Sequence, residues 1–257
     1  MNVLVLGDVV NNEGCDFLKN KLPAFKRLKE IDFCIANGEN SADGNGITPE
    51  SAQKLFSSGV DFITTGNHVY RRKEIYDMLD ENEFIIRPCN YNKANPGMGA
   101  KIVDCGFYNI GIINVMGTMF MENLDNPFSC VEKEIEKINK ITNIIFVDFH
   151  AEATSEKKAM GYFLDGKVSA VFGTHTHVLT ADNTVLTGGT GYITDVGMCG
   201  VKESVLGVDK DIIIDKFLYN MPKRFDKATG ASMANGCIFT IDKITGKCTS
   251  TELVSFE

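Results

Sequence analysis

Ile144-Ile145-Phe146-Val147-Asp148-Phe149-His150 is the most hydrophobic run of the chain, and it breaks off on a carboxylate and an imidazole. Four consecutive apolar residues, mostly β-branched, suit a strand buried on both faces, the signature of a parallel sheet covered by helices. Two-residue alternation puts Asp148 and His150 on one side of that strand and Phe149 on the other. Outward from it, similar short runs occur over 2–6, 32–36, 61–64, 84–86, 108–115 and 168–172. Helical patterns lie between or after them, over 14–30, 49–58, 71–81, 128–140 and 209–219. Within 128–140, Val131, Ile135 and Ile138 share one stripe while Glu132, Lys133, Glu134, Glu136 and Lys137 fill the other faces, as in a helix lying on a sheet. The fold class is therefore α/β. Past residue 220, the segments 237–241 and 249–256 read as a closing hairpin added to a second sheet, with a turn at 243–246. No repeat, low-complexity tract or separating linker divides the 257 residues, so a single domain, 1–257, with two packed sheets is expected.

Composition narrows the function. At 44% hydrophobic and 23% charged residues with six prolines, the chain can bury a full core, which excludes disorder. The 26 Lys and Arg against 34 Asp and Glu give a net charge of −8, and no basic stripe gathers nucleic-acid phosphates, so a long duplex is not an expected partner. The eight cysteines form no C-x-x-C pair and several sit in apolar runs such as 32–35, so they read as reduced core residues. The opening Met1 to Leu6 lacks a basic segment, and no apolar stretch approaches the ~18 residues of a membrane span. A cytoplasmic location is the expectation, with no membrane partner.

Histidine is the informative residue. The chain has four, His68, His150, His175 and His177, and each falls at or just after the end of an expected strand. In α/β folds the carboxyl ends of strands share a crevice where sites assemble. Gly173-Thr174-His175-Thr176-His177 follows the run 168–172, and two imidazoles one residue apart reach adjacent positions when the backbone turns tightly, which suits a metal. Taken alone, His-x-His serves equally as two structural histidines, and a lone strand-end histidine such as His150 is more often a hydrogen-bonded core residue. Gly66-Asn67-His68, Gly38-Glu39-Asn40 and Gly7-Asp8 each follow an apolar run, and a glycine turn with a polar cap is their ordinary explanation. Together, however, five strand ends terminate in donors: Asp8, Glu39 with Asn40, Asn67 with His68, His150, and His175 with His177. Carboxylates, amide oxygens and imidazoles without thiolates suit Mn²⁺, Fe or Zn²⁺ rather than a Cys₄ structural site. The set is too large for one ion, and two ions roughly 3.5–4 Å apart sharing the Glu39 carboxylate would use it.

The order G-D, G-E-N, G-N-H, a strand-end H and G-x-H-x-H resembles the calcineurin-like metallophosphoesterase superfamily over residues 1 to about 200, and in particular its YmdB-type branch. That resemblance implies a four-layer α/β/β/α sandwich of two packed mixed sheets and a dinuclear-metal phosphodiesterase acting on small phosphodiesters, cyclic nucleotides such as 2′,3′-cyclic AMP among them. Carried over by position, it implies that Asp8, Glu39, Asn40 and His177 hold one metal and that Glu39, Asn67, His150 and His175 hold the other, with iron or manganese favoured over zinc. His68 matches the histidine assigned as acid to the leaving oxygen. Three departures from the broader superfamily stand out. The D-x-H start is Asp8-Val9-Val10 here, leaving Asn40 as the substitute ligand; Glu39 replaces an aspartate bridge; and Val69 stands where an acid often follows the histidine, so the group orienting His68 is unidentified.

A metal pair supplies hydroxide at neutral pH and neutralises charge on the phosphoryl oxygens, so no protein nucleophile is needed and His68 is expected to protonate the departing ribose oxygen. Phosphomonoesterase or nuclease action at the same site, and a metal-stabilised regulatory scaffold, are the rival readings; a homo-oligomer is compatible with each. Arg71 and Arg72 could reach a phosphate or be solvated, the glycine-rich 187–191 is a turn that could line the site, and the methionine-rich 116–127 is a loop over a pocket or on the surface.

Overall fold

The computed structural model describes residues 1–257. The first half of the chain runs β1 (Asn2–Leu6), β2 (Asp8–Val9), α1 (Asn11–Leu28), β3 (Phe33–Asn37), α2 (Pro49–Ser57), β4 (Phe62–Thr64), α3 (Tyr76–Glu81), β5 (Ala100–Asp104), β6 (Asn109–Met116) and α4 (Pro127–Ile138). It continues as β7 (Ile145–His150), α5 (Thr154–Phe163), β8 (Ala170–Thr174), β9 (Thr184–Val185), β10 (Gly191–Ile193), β11 (Met198–Val201), α6 (Lys210–Tyr219), β12 (Ser232–Ile241) and β13 (Cys248–Phe256). One mixed sheet has β1, β3 and β4 in parallel, with β12 antiparallel to β1 and β13 antiparallel to β12. The other orders β5-β6-β7-β8-β10-β9, parallel through its four central strands.

Alternation along the strands builds the layers. Leu4 and Leu6 of β1 pack with Leu18 and Leu22 of α1 and Leu55 of α2, whereas Val3 and Val5 face Phe146, Phe172 and Phe239 between the sheets. In the second sheet Ile110, Ile112 and Phe146 point into that same space, while Ile113, Ile145 and Val147 meet Val131, Ile135 and Ile138 of α4 and Met160 of α5. The result is the expected α/β/β/α sandwich. At the carboxyl ends of the strands the inward stripe changes character within one step of alternation: Ile35 gives way to Asn37, Ile112 to Asn114, Phe146 to Asp148 and Phe172 to Thr174, all fully buried. This polar layer floors the candidate site.

The structure departs from expectation in several places. The closing hairpin joins the sheet of β1 rather than the other one: β12 pairs with β1 and is apolar on both faces as an interior strand is, Ile238 packing toward the helices and Cys237, Phe239 and Ile241 between the sheets. The run 84–86 makes only a bridge between Ile63 and Ile85. The helix expected from 71 begins at Tyr76, after a 3-10 turn over Lys73–Ile75. Six elements lie outside the expected segments: the short strands β2, β9, β10 and β11, the half-buried edge strand β5, and α5, a weakly amphipathic helix whose buried face includes Lys157 and Glu156. All eight cysteines are free. No helix is long and apolar enough to cross a membrane.

Candidate metal centre

Every donor-bearing strand end opens on the same cavity or on its floor. Asp8 begins β2, Glu39 and Asn40 follow β3, Asn67 and His68 follow β4, His150 ends β7, and His175 and His177 follow β8. Gly66 permits the convergence sterically: a Cβ there would collide with the His150 ring and lie 2.5 Å from Glu39 Oε2.

Two groups of donors meet around Glu39. In the first, His150 Nε2 lies 3.0 Å from Asn67 Oδ1, 3.1 Å from His175 Nδ1 and 3.2 Å from Glu39 Oε1. Glu39, His150 and His175 each offer one ligand atom within 4.8 Å of the others. In the second, His177 Nε2 lies 3.5 Å from Asp8 Oδ1 and 3.3 Å from Asn40 Nδ2, and that amide nitrogen is 3.2 Å from Glu39 Oε1. Asp8 Oδ1 and His177 Nδ1 are buried with no hydrogen-bond partner. Lone pairs converging in this way, with buried oxygen left unpaired, repel one another unless a cation sits among them. The donor set therefore fits divalent metal ions, and its imidazole, carboxylate and amide chemistry fits those with borderline preferences.

The titration of the cluster expresses the same demand. Burial opposes charge on Asp8, but the His177 imidazole and the His175 backbone N–H outweigh it and hold the carboxyl well below its usual range. Glu39 is lowered likewise, chiefly by His150 against the pull of burial. Burial also disfavours a charged His150, yet Glu39, Asp8 and Asp148 raise it to about 9, whereas burial and the neighbouring His150 push His175 down to about 4. His177 is raised as well, Asp8 and Glu39 outweighing its burial, so the acidic donors draw positive charge toward them.

Behind the donors lies a hydrogen-bonded support. His150 Nδ1 is 2.9 Å from Thr174 Oγ1, which donates to Asp148 Oδ1 at 2.7 Å; Asn37 Nδ2 donates to Asp148 Oδ2 at 3.1 Å. Burial pushes the Asp148 carboxyl up to about 6. His175 Nε2 lies 3.2 Å from Glu152 Oε2, and its backbone N–H donates to Asp8 Oδ2 at 3.1 Å. Such outer partners fix ring orientation and tautomer at metal centres. Thr174, Asn37 and Glu152 were not singled out from the sequence. For Thr174 and Asn37 the available signal was a polar residue continuing an apolar inward stripe; for Glu152 it was an acid two residues beyond a strand-end histidine.

His68 borders the donors, its Nδ1 3.4 Å from Glu39 Oε1. Its backbone N–H donates to Glu39 Oε2 at 2.9 Å, Nδ1 is 2.8 Å from Asn40 Oδ1, and Nε2 is 3.3 Å from Asn45 Nδ2. Asn40 is thus the group that orients His68, while Val69 is fully buried in the core beneath the helices. Burial lowers the His68 imidazole below its ordinary value, with Arg71 assisting and Glu39 opposing. Arg72 is committed elsewhere, its guanidinium donating to the carbonyls of Asn45 and Asp43 at 3.0 and 2.6 Å. Gly188 and Gly189 line a separate cavity with Gly166 and Gly246, near the start of β10, so the glycine-rich turn does not border the donors. The loop after β6 is tied to α5, where the Thr118 N–H donates to Glu156 Oε1 at 3.0 Å.

The donors border a cavity of about 690 Å³, onto which Glu39, Asn40, His68, His175 and His177 open together with Asn45 and Glu152. Leu206, Val208 and Phe225 give it an apolar wall. Its size lies within the ~300–1,000 Å³ of small-molecule sites.

Known proteins share this architecture along its whole length. A curated relative from Bacillus subtilis (strain 168), named 2′,3′-cyclic-nucleotide 2′-phosphodiesterase, is 44% identical over 254 residues, spanning 99% of this chain and 96% of that protein. A crystal structure described as a novel phosphatase of Mycoplasma pneumoniae superposes with a TM-score of 0.94 at 33% identity, covering 100% of this chain and 93% of the other. A hypothetical protein from Thermus thermophilus gives a TM-score of 0.93 at 37% identity over 100% and 99% of the two chains. The family described as YmdB-like protein matches residues 4–254, and the chain belongs to it.

Proposed function

We propose that this chain is a metal-dependent phosphodiesterase, a phosphoric ester hydrolase whose residues 1–257 act as one domain on small phosphodiesters, cyclic nucleotides such as 2′,3′-cyclic AMP among them. The observation that carries the reading is the sharing of Glu39 between two donor groups at the edge of one cavity. The activity named for the 44% identical relative supports the substrate class. In this reading Asp8, Glu39, Asn40 and His177 hold one ion and Glu39, Asn67, His150 and His175 the other, with iron or manganese preferred over zinc. A half-turn of the Asn40 amide exchanges its oxygen and nitrogen; a cation beside Glu39 and His177 would select the oxygen-inward arrangement, and the amide N–H would then donate to His68 Nδ1 in place of the present contact.

When bound, the ion pair supplies a hydroxide at neutral pH and offsets charge on the phosphoryl oxygens. The chain's own residues do the rest. Glu39 and His150 fix the centre of the donor cluster. His68 lines the cavity, and with the Asn40 amide nitrogen turned to its Nδ1 the imidazole proton sits on Nε2, from which it can pass to the departing ribose oxygen. Leu206, Val208 and Phe225 offer a surface on which a nucleobase can lie.

Elemental analysis of purified protein, paired with hydrolysis of a bis-aryl phosphate diester, an aryl monoester and 2′,3′-cyclic AMP before and after chelation, tests the proposal. About two metals per chain and chelator-sensitive diester hydrolysis exceeding monoester hydrolysis are expected. A dominant monoesterase activity would instead favour the phosphatase named for the Mycoplasma pneumoniae structure. Metal-loaded protein inert toward all three esters would leave a scaffold.

A further inference from the structure

A buried ion pair outside the donor cluster grips the turn that carries two of its histidines. Lys157 on α5 and Asp195 after β10 lie 2.6 Å apart, each side chain only 1% exposed. Burying an ammonium and a carboxylate is costly, and well-packed apolar residues of similar volume commonly serve stability as well or better. Stability alone does not account for the pair; its hydrogen bonds do. Lys157 Nζ donates to the carbonyl of Thr174 at 2.7 Å, and Asp195 Oδ2 accepts the backbone N–H of Thr176 at 3.1 Å. Asp195 Oδ1 accepts the N–H of Gly197 at 2.9 Å, anchoring the clamp at its far end. The peptide groups on either side of His175 are thereby held by opposite charges.

That turn needs holding. His175 has φ of 97° and His177 of 63°, both in the left-handed region that non-glycine residues rarely adopt and that persists only where the surroundings over-determine it. These angles let residues one apart send both rings toward Glu39, His175 Nδ1 to the His150 side and His177 Nε2 to the Asp8 side. In an ordinary extended continuation of β8 the turn would carry the rings away from their present positions.

We infer that Lys157 and Asp195 are positioning residues that hold the His175-Thr176-His177 turn in its strained backbone conformation and so set the affinity of the metal centre. The inference rests on the proposed reading of these histidines as metal donors.

The test compares wild-type protein with Lys157→Met/Asp195→Leu and with Asp195→Asn, all metal-free at the start. Thermal unfolding reports the fold, the imidazole NMR signals of the four histidines report ring placement, and a Co²⁺ titration followed by visible absorption reports affinity and stoichiometry. The double variant leaves the Thr174 carbonyl and the Thr176 and Gly197 N–H groups without partners, so it is expected to melt below wild type, and while folded to bind Co²⁺ at least ~10-fold more weakly, with His175 and His177 signals displaced. Asp195→Asn keeps an oxygen for the Thr176 amide but loses the charge opposing Lys157, and is expected to fall between the two. Wild-type Co²⁺ affinity in a folded double variant overturns the inference. Should that variant not fold, Asp195→Asn decides the matter: unchanged affinity and unchanged histidine signals overturn the inference. Wild-type protein that takes up no Co²⁺ overturns the metal reading itself, an outcome distinct from either.

Discussion

Asn40 Oδ1 lies 2.8 Å from His68 Nδ1, and Glu39 Oε2 accepts the His68 backbone N–H at 2.9 Å, so the donor cluster orients a histidine outside the proposed ligand set. The proposed separation between holding metals and moving a proton can be measured. His68→Ala is expected to lower kcat on a diester by ~10²–10⁴-fold, the range of a general acid, while leaving metal content at the wild-type value. Asn40→Ala should lower both. Undiminished turnover in His68→Ala, under conditions where chemistry limits the rate, would remove its acid role.

Thr174 bridges His150 Nδ1 and Asp148, receiving from one at 2.9 Å and donating to the other at 2.7 Å, while Asn37 Nδ2 lies at a longer 3.5 Å from the same ring nitrogen. Thr174→Val keeps the shape but strands a buried N–H and a buried carboxylate oxygen. The expected cost is about 1–3 kcal/mol in urea unfolding of the metal-free protein. Metal affinity should fall ~10–100-fold, as when the outer partner of a ligating histidine is lost. Thr174→Ser, which restores the hydroxyl, should recover most of both. A Val variant with unaltered metal affinity would show that the bridge does not tune His150.

The long apolar strands, the α/β class and the eight convergent side chains were legible because periodicity and strand-end position are local properties of the sequence, whereas the short strands β2, β9, β10 and β11 and the edge strand β5 were not. The relay behind them was not. Asn37, Asp148 and Thr174 lie on three strands of two sheets, and nothing local says that they touch. Asn45 faces His68 from a loop that Arg72, in a different segment, ties down at the Asp43 and Asn45 carbonyls. α5 escaped notice because its buried face carries Lys157 and Glu156, whose burial depends on partners distant in sequence. The hairpin went to the wrong sheet because two-faced hydrophobicity says that a strand is interior without saying which sheet contains it.

Asp182 ties the loop after the histidine turn to the end of β10. It accepts hydrogen bonds from the Thr194 hydroxyl and N–H and from the Thr180 hydroxyl, and it pairs with Lys158 at 3.1 Å. Partial burial opposes its charge, but these donors lower its pKa to about 2. The folded value lies below the unfolded value of ~3.9, so its stabilisation is complete well above pH 4 and is lost as pH falls toward 2. In urea unfolding of metal-free protein, Asp182→Asn should be less stable than wild type by a constant margin from pH 7 to about 5, and the margin should shrink between about pH 4 and 2. A margin that is flat or widens toward acid pH would contradict the assignment.

Gly66 and Gly106 separate crowding of the site from backbone strain. Gly66 lacks a positive φ, so its backbone accepts a side chain, but the added Cβ of Gly66→Ala would occupy space taken by the His150 ring and Glu39 Oε2. Gly106, in the turn between β5 and β6, is the reverse: φ is +83° and nothing lies within 4 Å of an added Cβ. Gly106→Ala should cost about 1–2 kcal/mol through left-handed strain and leave metal binding as it was. Gly66→Ala should cost a similar ~1–3 kcal/mol by overpacking. It must also displace His150 or Glu39, the two residues on which the donor groups centre, so its metal affinity should fall far below that of the equally destabilised Gly106 variant. Calorimetric titration of Mn²⁺ into both metal-free proteins, with urea unfolding to match their stabilities, reads the difference. Equal affinities would mean that the centre tolerates displacement of its middle, and the convergence on Glu39 would then have no bearing on how the metals are held.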